Sequence, residues 1–241
     1  MKNKFGFILV KTQLGENIGA CARSMKNFGF SKLHIVSPKI NFPNHKTKAT
    51  SVGAYDIINK AKVFDSVEKA VEPFNLVIAL SARRRDINKR HISLQNFQKI
   101  IKKRQNLNIG FMFGPEASGL SNQDLSFSNY IMQIPTSTKF KSLNLSHSLT
   151  VICYEIFKLM NENKVKNNNL NLKISSKGKI TNVVRHLVSL LEKKDFFVSK
   201  EKKQSMLLNI NNLIYKIQPN DKELRILASI ISSLYKNKNK P

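Results

Sequence analysis

The sequence feature that most constrains the fold is a regular alternation of short apolar segments with stretches of helical periodicity. The apolar segments lie at residues 5–10, 32–36, 76–80, 109–113 and 130–134. Between them, apolar residues recur at the spacing of amphipathic helices, as in residues 17–28, 49–60 and 94–103. Short strands that alternate with helices favour an α/β fold with a mostly parallel sheet. The pattern therefore predicts an α/β domain over residues 1–160.

The alternation stops near Met160, and the composition changes there. Residues 161–177 are polar, rich in Asn and low in complexity, which is typical of a linker. Residues 178–241 show only helical periodicity, and Asn220 and Glu223 have the spacing of a helix capping box. We therefore predict a linker over 161–177 and a small all-helical C-terminal extension over 178–241.

The charge of the chain restricts its partners. Its 41 Lys and Arg residues outnumber its 15 Asp and Glu residues, so the formal net charge is +26. A charge of this size predicts a polyanionic partner, with nucleic acid favoured and an anionic membrane as the alternative. Lys, Asn and Ile are abundant together, as in proteins from AT-rich genomes, so some of these lysines need have no function.

The two cysteines, Cys21 and Cys153, each lie in an apolar helical pattern, which predicts buried thiols. At most one disulfide is possible, which fits a reducing compartment. The N-terminal apolar run is too short for a signal peptide, and no segment has the length of a membrane span. These features predict a cytoplasmic protein without membrane contact.

Three polar segments lie at or near the C-terminal ends of predicted strands, where open α/β sheets bind their ligands. They are residues 15–30, 111–121 and 134–146. In the second, Glu116 lies inside a Gly-Pro turn, where its carboxylate can accept backbone N–H bonds and brace a pocket. In the third, Ser142, Asn144 and Ser146 alternate just before a helix. Because one such residue suffices as a cap, we expect this loop to bind a ligand as well.

Other motifs leave alternatives open or are missing. The run Arg83, Arg84 and Arg85 follows a strand directly, and it could contact phosphates or be a solvated charge run. Arg23, on the polar face of its helix, could equally be a surface residue. The five histidines lack the paired spacing of metal ligands, so no metal site is predicted. Glycine-rich phosphate loops and the GxSxG nucleophile motif do not occur.

Taken in order, the three polar segments resemble the SPOUT class of RNA methyltransferases. Asn17 to Arg23 matches its N-x-x-x-x-x-R helix, Gly114 to Gly119 its G-x-E-x-x-G turn, and Ser142 to Ser146 its S-L-N-x-S loop. The likeness covers residues 5–160. Within the class, the segments NIGACARSMKNFGF, LSARRR, FGPEASGLSNQDL and SLNLSHSLTVICYEI are most similar to TrmJ-type tRNA 2′-O-methyltransferases.

The resemblance implies a fold and a function beyond what periodicity predicts. The fold would be a SPOUT-type parallel sheet whose C-terminal part forms a trefoil knot. Such enzymes act as homodimers, bind S-adenosylmethionine in the knot and need no metal. The TrmJ type methylates the ribose of cytidine or uridine 32 in the tRNA anticodon loop. The alternatives are a non-catalytic RNA-binding protein, or a 2′-O-methyltransferase that acts on another tRNA or rRNA site.

The same match assigns roles to individual residues. The cofactor-binding residues would be Leu80, Ser81, Ala82, Gly114, Glu116, Ile134, Ser142, Leu143 and Asn144. The catalytic residues would be Arg23, Ser142 and Asn144, and the RNA-binding residues Asn17, Arg23, Arg83, Arg84 and Arg85. Since guanidinium is a very poor base, Arg23 could be the general base or could stabilise a phosphate or an alkoxide. The turn reads GPEASG and lacks an Arg found in other TrmJ-type proteins, so the preferred base stays open.

Overall fold

The computed structural model describes residues 4–82, 88–103, 106–162, 174–197 and 199–236. Seven strands form one sheet: β1 (Phe5–Val10), β2 (Lys32–Val36), β3 (Lys62–Phe64), β4 (Leu76–Leu80), β5 (Arg90–Ile92), β6 (Ile109–Phe113) and β7 (Tyr130–Met132). Their order is β3-β2-β1-β6-β4-β7-β5, and each neighbouring pair is parallel. The predicted α/β fold with a parallel sheet is therefore confirmed.

Ten helices are described. They are α1 (Gly15–Asn27), α2 (His45–Thr50), α3 (Tyr55–Asn59), α4 (Val67–Val71), α5 (Leu94–Lys103), α6 (Asn122–Ser126), α7 (Leu145–Glu162), α8 (Lys177–Glu192), α9 (Lys200–Ile217) and α10 (Asp221–Lys236). The prediction of one helix over residues 49–60 is wrong in extent. Two short helices occupy this region, because the chain turns at Gly53 with a positive φ of 74°.

The central strands are apolar throughout because both faces of the sheet are covered. All six residues of β1 are buried. Along it, Phe7 and Leu9 pack into one apolar cluster with α1 and α7, whereas Ile8 and Val10 pack into a second cluster with α4. Alternate residues of a strand point to opposite faces, so a continuous apolar run is what a sheet between two helical layers requires. The three-residue strands β3 and β5 escaped sequence prediction because they lie at the sheet edges and carry exposed polar residues.

Helix α1 positions the first polar segment by packing closely against its neighbours. Its predicted apolar stripe is buried, at Ile18, Cys21, Ala22 and Met25. A side chain at Gly19 would overlap the Thr50 hydroxyl and the Thr47 carbonyl, so glycine permits the contact with α2. The chain leaves α1 at Gly29 with a φ of 76°, as a residue just after a helix commonly does.

Helices α8 to α10 share an apolar cluster of their own, formed by Ile180, Val184, Ile214, Tyr215 and Leu224. The predicted capping box opens α10: Glu223 N donates to Asn220 Oδ1 at 2.9 Å, and Asn220 N donates to Glu223 Oε2 at 2.7 Å. Helix α8 begins at Lys177, inside the predicted linker, and Lys177 N donates to the Phe74 carbonyl at 2.8 Å. This bond fastens the start of the helical segment to the residues just before β4.

Candidate active site

A cavity of about 440 Å³ opens at the carboxyl ends of β4, β6 and β7. Its volume is in the range of pockets for small molecules. It is lined by Leu80, Ser81, Ala82, Phe113, Gly114, Pro115, Glu116, Ala117, Ser118, Gly119, Ile134, Thr138, Lys139, Lys141, Ser142, Leu143, Leu145 and Ser148. Its position agrees with the rule that parallel sheets bind ligands beyond the carboxyl ends of their strands.

The cavity brings together most of the residues that the sequence assigned to a cofactor. Leu80, Ser81, Ala82, Gly114, Glu116, Ile134, Ser142 and Leu143 all line it. Asn144 is not among the lining residues, and its side chain instead contacts Asn17. The structure therefore places eight of the nine residues around one space and gives the ninth a supporting position.

The end of β6 and the turn after it form one wall of the cavity. A Cβ at Gly114 would overlap the backbone N of Leu120, so only glycine allows this close approach. Gly119 has a φ of 68°, and its N–H donates to the Pro115 carbonyl at 2.8 Å. The G-x-E-x-x-G spacing therefore folds into a tight turn that holds Glu116 at the cavity.

A chain of hydrogen bonds joins the three polar segments. Glu116 Oε1 accepts from Asn17 Nδ2 at 2.7 Å, and Glu116 Oε2 accepts from Gln13 N at 3.1 Å. Asn17 Oδ1 in turn accepts from Asn144 Nδ2 at 3.1 Å. We call Glu116, Asn17, Asn144 and Ser146 the carboxyl-end network. The bond from Gln13 N agrees with the expectation, from the place of Glu116 in the turn, that its carboxylate accepts a backbone N–H bond.

The alternating residues before α7 divide their tasks. Ser142 lines the cavity, whereas Asn144 Oδ1 accepts from Ser146 N at 2.8 Å and from Ser146 Oγ at 2.7 Å. Asn144 is thus the cap of α7 while its amide group holds Asn17. Thr150 Oγ1 donates to the Ser146 carbonyl at 2.7 Å and lies 2.6 Å from Ser24 Oγ, which ties α7 to α1. The loop therefore serves both the helix and the cavity.

The predicted RNA-binding residues have different positions. Asn17 is nearly buried in the network, with 7% of its surface exposed. Arg23 is exposed on the outer face of α1 and is not among the residues that line the cavity. Arg83, Arg84 and Arg85 lie outside the described residues. The roles assigned to these residues stay predictions.

The structure adds two cations to the site that the sequence reading left unassigned. Lys139 and Lys141 both line the cavity, on the segment that leads to Ser142. The sequence did contain a sign of their role, because Lys139 and Lys141 come just before Ser142, the first residue of a loop already assigned to the pocket. Positive side chains at the opening favour an anionic ligand or substrate.

The remaining chemistry-bearing residues stay apart from the cavity. Cys21 and Cys153 are both fully buried, and burial raises the pKa of both thiols, which keeps them protonated. Within the described ranges, no group of three or more His, Cys, Asp and Glu side chains is arranged to hold a metal ion. Among the same residues, no helix has the length and hydropathy to cross a bilayer.

The fold and the site together define a class of protein. It is an α/β protein with a parallel sheet, in which a glycine turn and a Ser-Leu-Asn loop enclose a ligand cavity at the carboxyl ends of the strands. The model of the SpoU rRNA Methylase family matches residues 4–154, so the chain belongs to this family and is a methyltransferase. It is 31% identical over 226 residues to the tRNA (cytidine-2′-O-)-methyltransferase TrmJ of Methanocaldococcus jannaschii, covering 92% of this chain and 96% of the relative. It is 29% identical over 239 residues to the tRNA (cytidine/uridine-2′-O-)-methyltransferase TrmJ of Photorhabdus laumondii, covering 98% of each chain.

Solved structures show the same architecture. TrmJ from Z. mobilis superposes with a TM-score of 0.86 at 29% identity, covering 96% of this chain and 99% of that one. The SpoU methyltransferase AviRb from Streptomyces viridochromogenes, in complex with AdoMet, shares the fold with a TM-score of 0.55 at 17% identity, covering 67% of this chain and 60% of that one. The predicted SPOUT-type sheet with a helical extension is therefore confirmed, and the trefoil knot stays a prediction.

Proposed function

We propose that the protein is an S-adenosylmethionine-dependent tRNA 2′-O-methyltransferase that modifies cytidine or uridine at position 32 of the anticodon loop. The observation that carries the proposal is the carboxyl-end network, which joins three distant segments around one cavity through Glu116, Asn17 and Asn144. The activities of the similar TrmJ proteins, which are tRNA 2′-O-methyltransferases, support the substrate class and the ribose oxygen. Position 32 comes from the resemblance of the motifs alone.

The residues around the cavity fit the proposed cofactor. Polar residues such as Ser81, Glu116 and Ser142 line the cavity, and Leu80, Ile134 and Leu143 supply apolar surface. A nucleoside with an amino acid side arm needs this mixture of apolar contact and a few fixed polar groups. When bound, S-adenosylmethionine supplies an electrophilic methyl group on a good leaving group, so the protein must chiefly orient the acceptor and manage its proton.

The protein's own residues divide this work in two. Glu116, Asn17 and Asn144 hold the turn, the first helix and the last loop in one arrangement, so Ser142 keeps its place at the cavity. Arg23 would act on the ribose 2′-OH, either by taking its proton or by stabilising the alkoxide and the neighbouring phosphate. Because guanidinium is a strong donor and a very poor base, the stabilising role agrees better with its chemistry.

The proposal includes a homodimer in the cytoplasm that needs no metal. The α1–α7 surface supports the dimer: Tyr154 is 51% exposed, and its ring lies 6.2 Å from that of Phe28, which contacts Phe157 at 5.6 Å. An exposed aromatic group of this kind is typical of interface centres. Since Phe28 directly follows α1, the helix that carries Arg23, dimerisation would place this arginine close to an interface.

Methylation of defined tRNAs by the purified protein tests the proposal. Unmodified tRNA transcripts are incubated with S-adenosylmethionine in EDTA, and nuclease fragments are mapped by mass spectrometry. We expect one ribose methyl group at nucleotide 32, and its loss from tRNA of a strain without this protein. RNA that binds without gaining a methyl group would instead identify a non-catalytic RNA-binding protein, and a methyl group elsewhere would correct the target.

A further inference from the structure

Phe140 is an exposed aromatic side chain that lies in the chain between two residues of the cavity lining. It is 76% exposed, the largest exposed fraction among the large apolar residues of the described ranges. Its two neighbours in sequence, Lys139 and Lys141, both line the cavity. Two local hydrogen bonds shape this segment: Thr136 Oγ1 donates to the Lys141 carbonyl at 3.3 Å, and Lys139 N donates to Ser137 Oγ at 3.3 Å. The ring therefore projects from a bend whose flanking cations face the pocket.

Position distinguishes Phe140 from ordinary exposed apolar residues. Single apolar side chains on a surface are common and need no explanation. Phe140, however, is flanked in sequence by two lysines that line the cavity, and Leu143, which is 38% exposed, lines it three residues further on. Aromatic rings beside cationic groups are the combination that binds single-stranded nucleic acid, since bases stack on rings while phosphates pair with cations.

We propose that Phe140 is a stacking platform for an unstacked nucleobase of the RNA substrate, next to the nucleotide whose ribose enters the cavity. Lys139 and Lys141 contact the phosphates on either side of that base. The inference rests on the proposed function, because it takes the substrate to be RNA. Loops of RNA offer bases that are free of a duplex, and every base has a face that can stack. Phe140 therefore contributes affinity and orientation without selecting one base.

Three substitutions distinguish the effect of the aromatic ring from that of any apolar side chain at this position. Phe140→Ala removes the side chain, Phe140→Leu keeps an apolar group without a ring, and Phe140→Tyr keeps a ring. The probe is an anticodon stem-loop with 2-aminopurine beside the target nucleotide, whose fluorescence falls when the base stacks. We expect Phe140→Ala and Phe140→Leu to weaken binding by between about 5-fold and 100-fold and to reduce the quenching, with Phe140→Tyr close to the parent protein.

A matched control removes an apolar side chain of similar exposure from a remote strand. Val63 on β3 is 56% exposed and lies at the sheet edge beyond β2 and β1. Val63→Ala should leave RNA binding unchanged. S-adenosylmethionine affinity, measured by calorimetry, and the sedimentation coefficient should be the same in all variants. Either change in Phe140→Ala would assign the ring to the cofactor pocket or to a dimer contact and would overturn the proposal.

The outcomes also distinguish this inference from the proposed function. If the parent protein neither binds nor methylates tRNA, the proposed function is wrong, and so is the stacking role of Phe140 that depends on it. If the parent protein methylates tRNA and Phe140→Ala binds the stem-loop equally well, only the stacking role is wrong. A deficit in Phe140→Tyr as large as that in Phe140→Leu would also contradict a role for the aromatic ring.

Discussion

Two polar clusters lie at opposite ends of β4 and β7 and follow different rules. At the carboxyl ends, the network pairs the Glu116 carboxylate with N–H donors from Asn17 and Gln13. At the amino ends, two lysines are buried around Tyr215 of α9. Lys89 Nζ donates to the carbonyls of Ser126 at 2.8 Å and Ser128 at 2.6 Å and lies 5.5 Å from the Tyr215 ring.

Lys177, the second lysine of the amino-end cluster, is not satisfied in this way. Its Nζ is 4.1 Å from the centre of the Tyr215 ring and has no hydrogen-bond partner among the described residues. Burial, with a smaller contribution from Lys89, lowers its pKa well below the usual range, and burial lowers the pKa of Lys89 to about 7. The carboxyl-end network thus matches donors to acceptors, whereas the amino-end cluster buries two lysine amino groups whose charged form is disfavoured by burial.

The comparison leads us to expect chemistry from the first region and stability effects from the second. The largest effect should come from Arg23→Ala, on the helix that also carries Asn17 of the carboxyl-end network. If Arg23 acts in the transition state, the turnover rate should fall about 100-fold to 10,000-fold, while cofactor affinity stays unchanged because Arg23 does not line the cavity. Single-turnover methylation with saturating tRNA measures the rate.

Two further variants give the Arg23 result its meaning. Arg23→Lys keeps the positive charge but loses the planar guanidinium group. If Arg23 only binds a phosphate, the substitution should be tolerated better than if Arg23 acts at the ribose 2′-OH. Lys26→Ala, one turn further along α1, removes an exposed cation paired with Asp56 and should leave the rate unchanged. Near-normal turnover of Arg23→Ala would show that Arg23 is a surface residue without a catalytic role.

Glu116→Gln should have the next largest effect, on both cofactor binding and stability. An amide in place of the carboxylate turns one of its two acceptor oxygens into a donor that faces an N–H group. Leaving such a group unsatisfied costs about 1–3 kcal/mol of stability. A cost of the same size in the cofactor-bound arrangement would weaken cofactor binding about 5-fold to 150-fold. Calorimetry and urea unfolding measure the two effects.

Glu16→Gln on the same helix as Asn17 is the matched control. The Glu16 side chain is 41% exposed and pairs with Lys46 at 2.8 Å, and pairs that are open to solvent contribute little to stability. We therefore expect no measurable change in cofactor affinity or stability from this substitution. Equal effects of the two substitutions would show that the network has no special part in holding the cavity.

The residues of the carboxyl-end network could largely be predicted from the sequence to lie together, whereas those of the amino-end cluster could not. Asn17, Glu116 and Asn144 belong to motifs whose residue types need partners, and their places after apolar strands put them at one edge. By contrast, Lys89 and Lys177 follow a charge run and a polar segment, which are typical of exposed lysines. Their burial depends on where α9 packs, because Tyr215 covers both, and local periodicity carries no information about that contact.

The same distinction applies to the elements of the fold. The central strands were predictable because burial on both faces leaves a continuous apolar run, as in Leu76–Leu80. The edge strand Arg90–Ile92 has two exposed residues and depends on its pairing with β7. The capping box at Asn220 was found because its chemistry is local. Contacts between distant segments, and a knot above all, have no such local signature.

In the amino-end cluster, Lys177→Met should increase stability. The substitution removes a buried amino group without a hydrogen-bond partner among the described residues and keeps an apolar chain of similar length against Tyr215. A gain of about 1 kcal/mol would raise the melting temperature by about 2–4 °C. Lys179→Met, two residues along α8, is the control, since Lys179 is exposed and pairs with Asp221. A loss of stability in Lys177→Met would show that the cation–π contact outweighs the cost of burial.

The smallest effect is the pH dependence that Lys89 adds to stability. Burial lowers its folded-state pKa to about 7, below the usual 10.5 of an unfolded lysine. Between these values the unfolded chain binds more protons than the folded protein, so the free energy of unfolding should rise with pH. From about pH 7 to 8.5 we expect a gain on the order of 1 kcal/mol from Lys89. The thiols of Cys21 and Cys153 begin to ionise in the unfolded chain near the upper end of this range, so the contribution of Lys89 must be measured as a difference from a variant that keeps both cysteines.

Comparison with Lys89→Met isolates this contribution. The variant loses the bonds to Ser126 and Ser128 and is less stable at every pH, so the slope and not the absolute stability is the measured quantity. Urea unfolding of both proteins between about pH 7 and 8.5 should show a steeper rise in the parent protein. His34, which is also buried with a lowered pKa, titrates in both proteins and cancels in the difference. Parallel pH profiles would mean that Lys89 keeps its proton in the fold, held by the two carbonyls and the face of Tyr215, and that the amino-end cluster satisfies its charge after all.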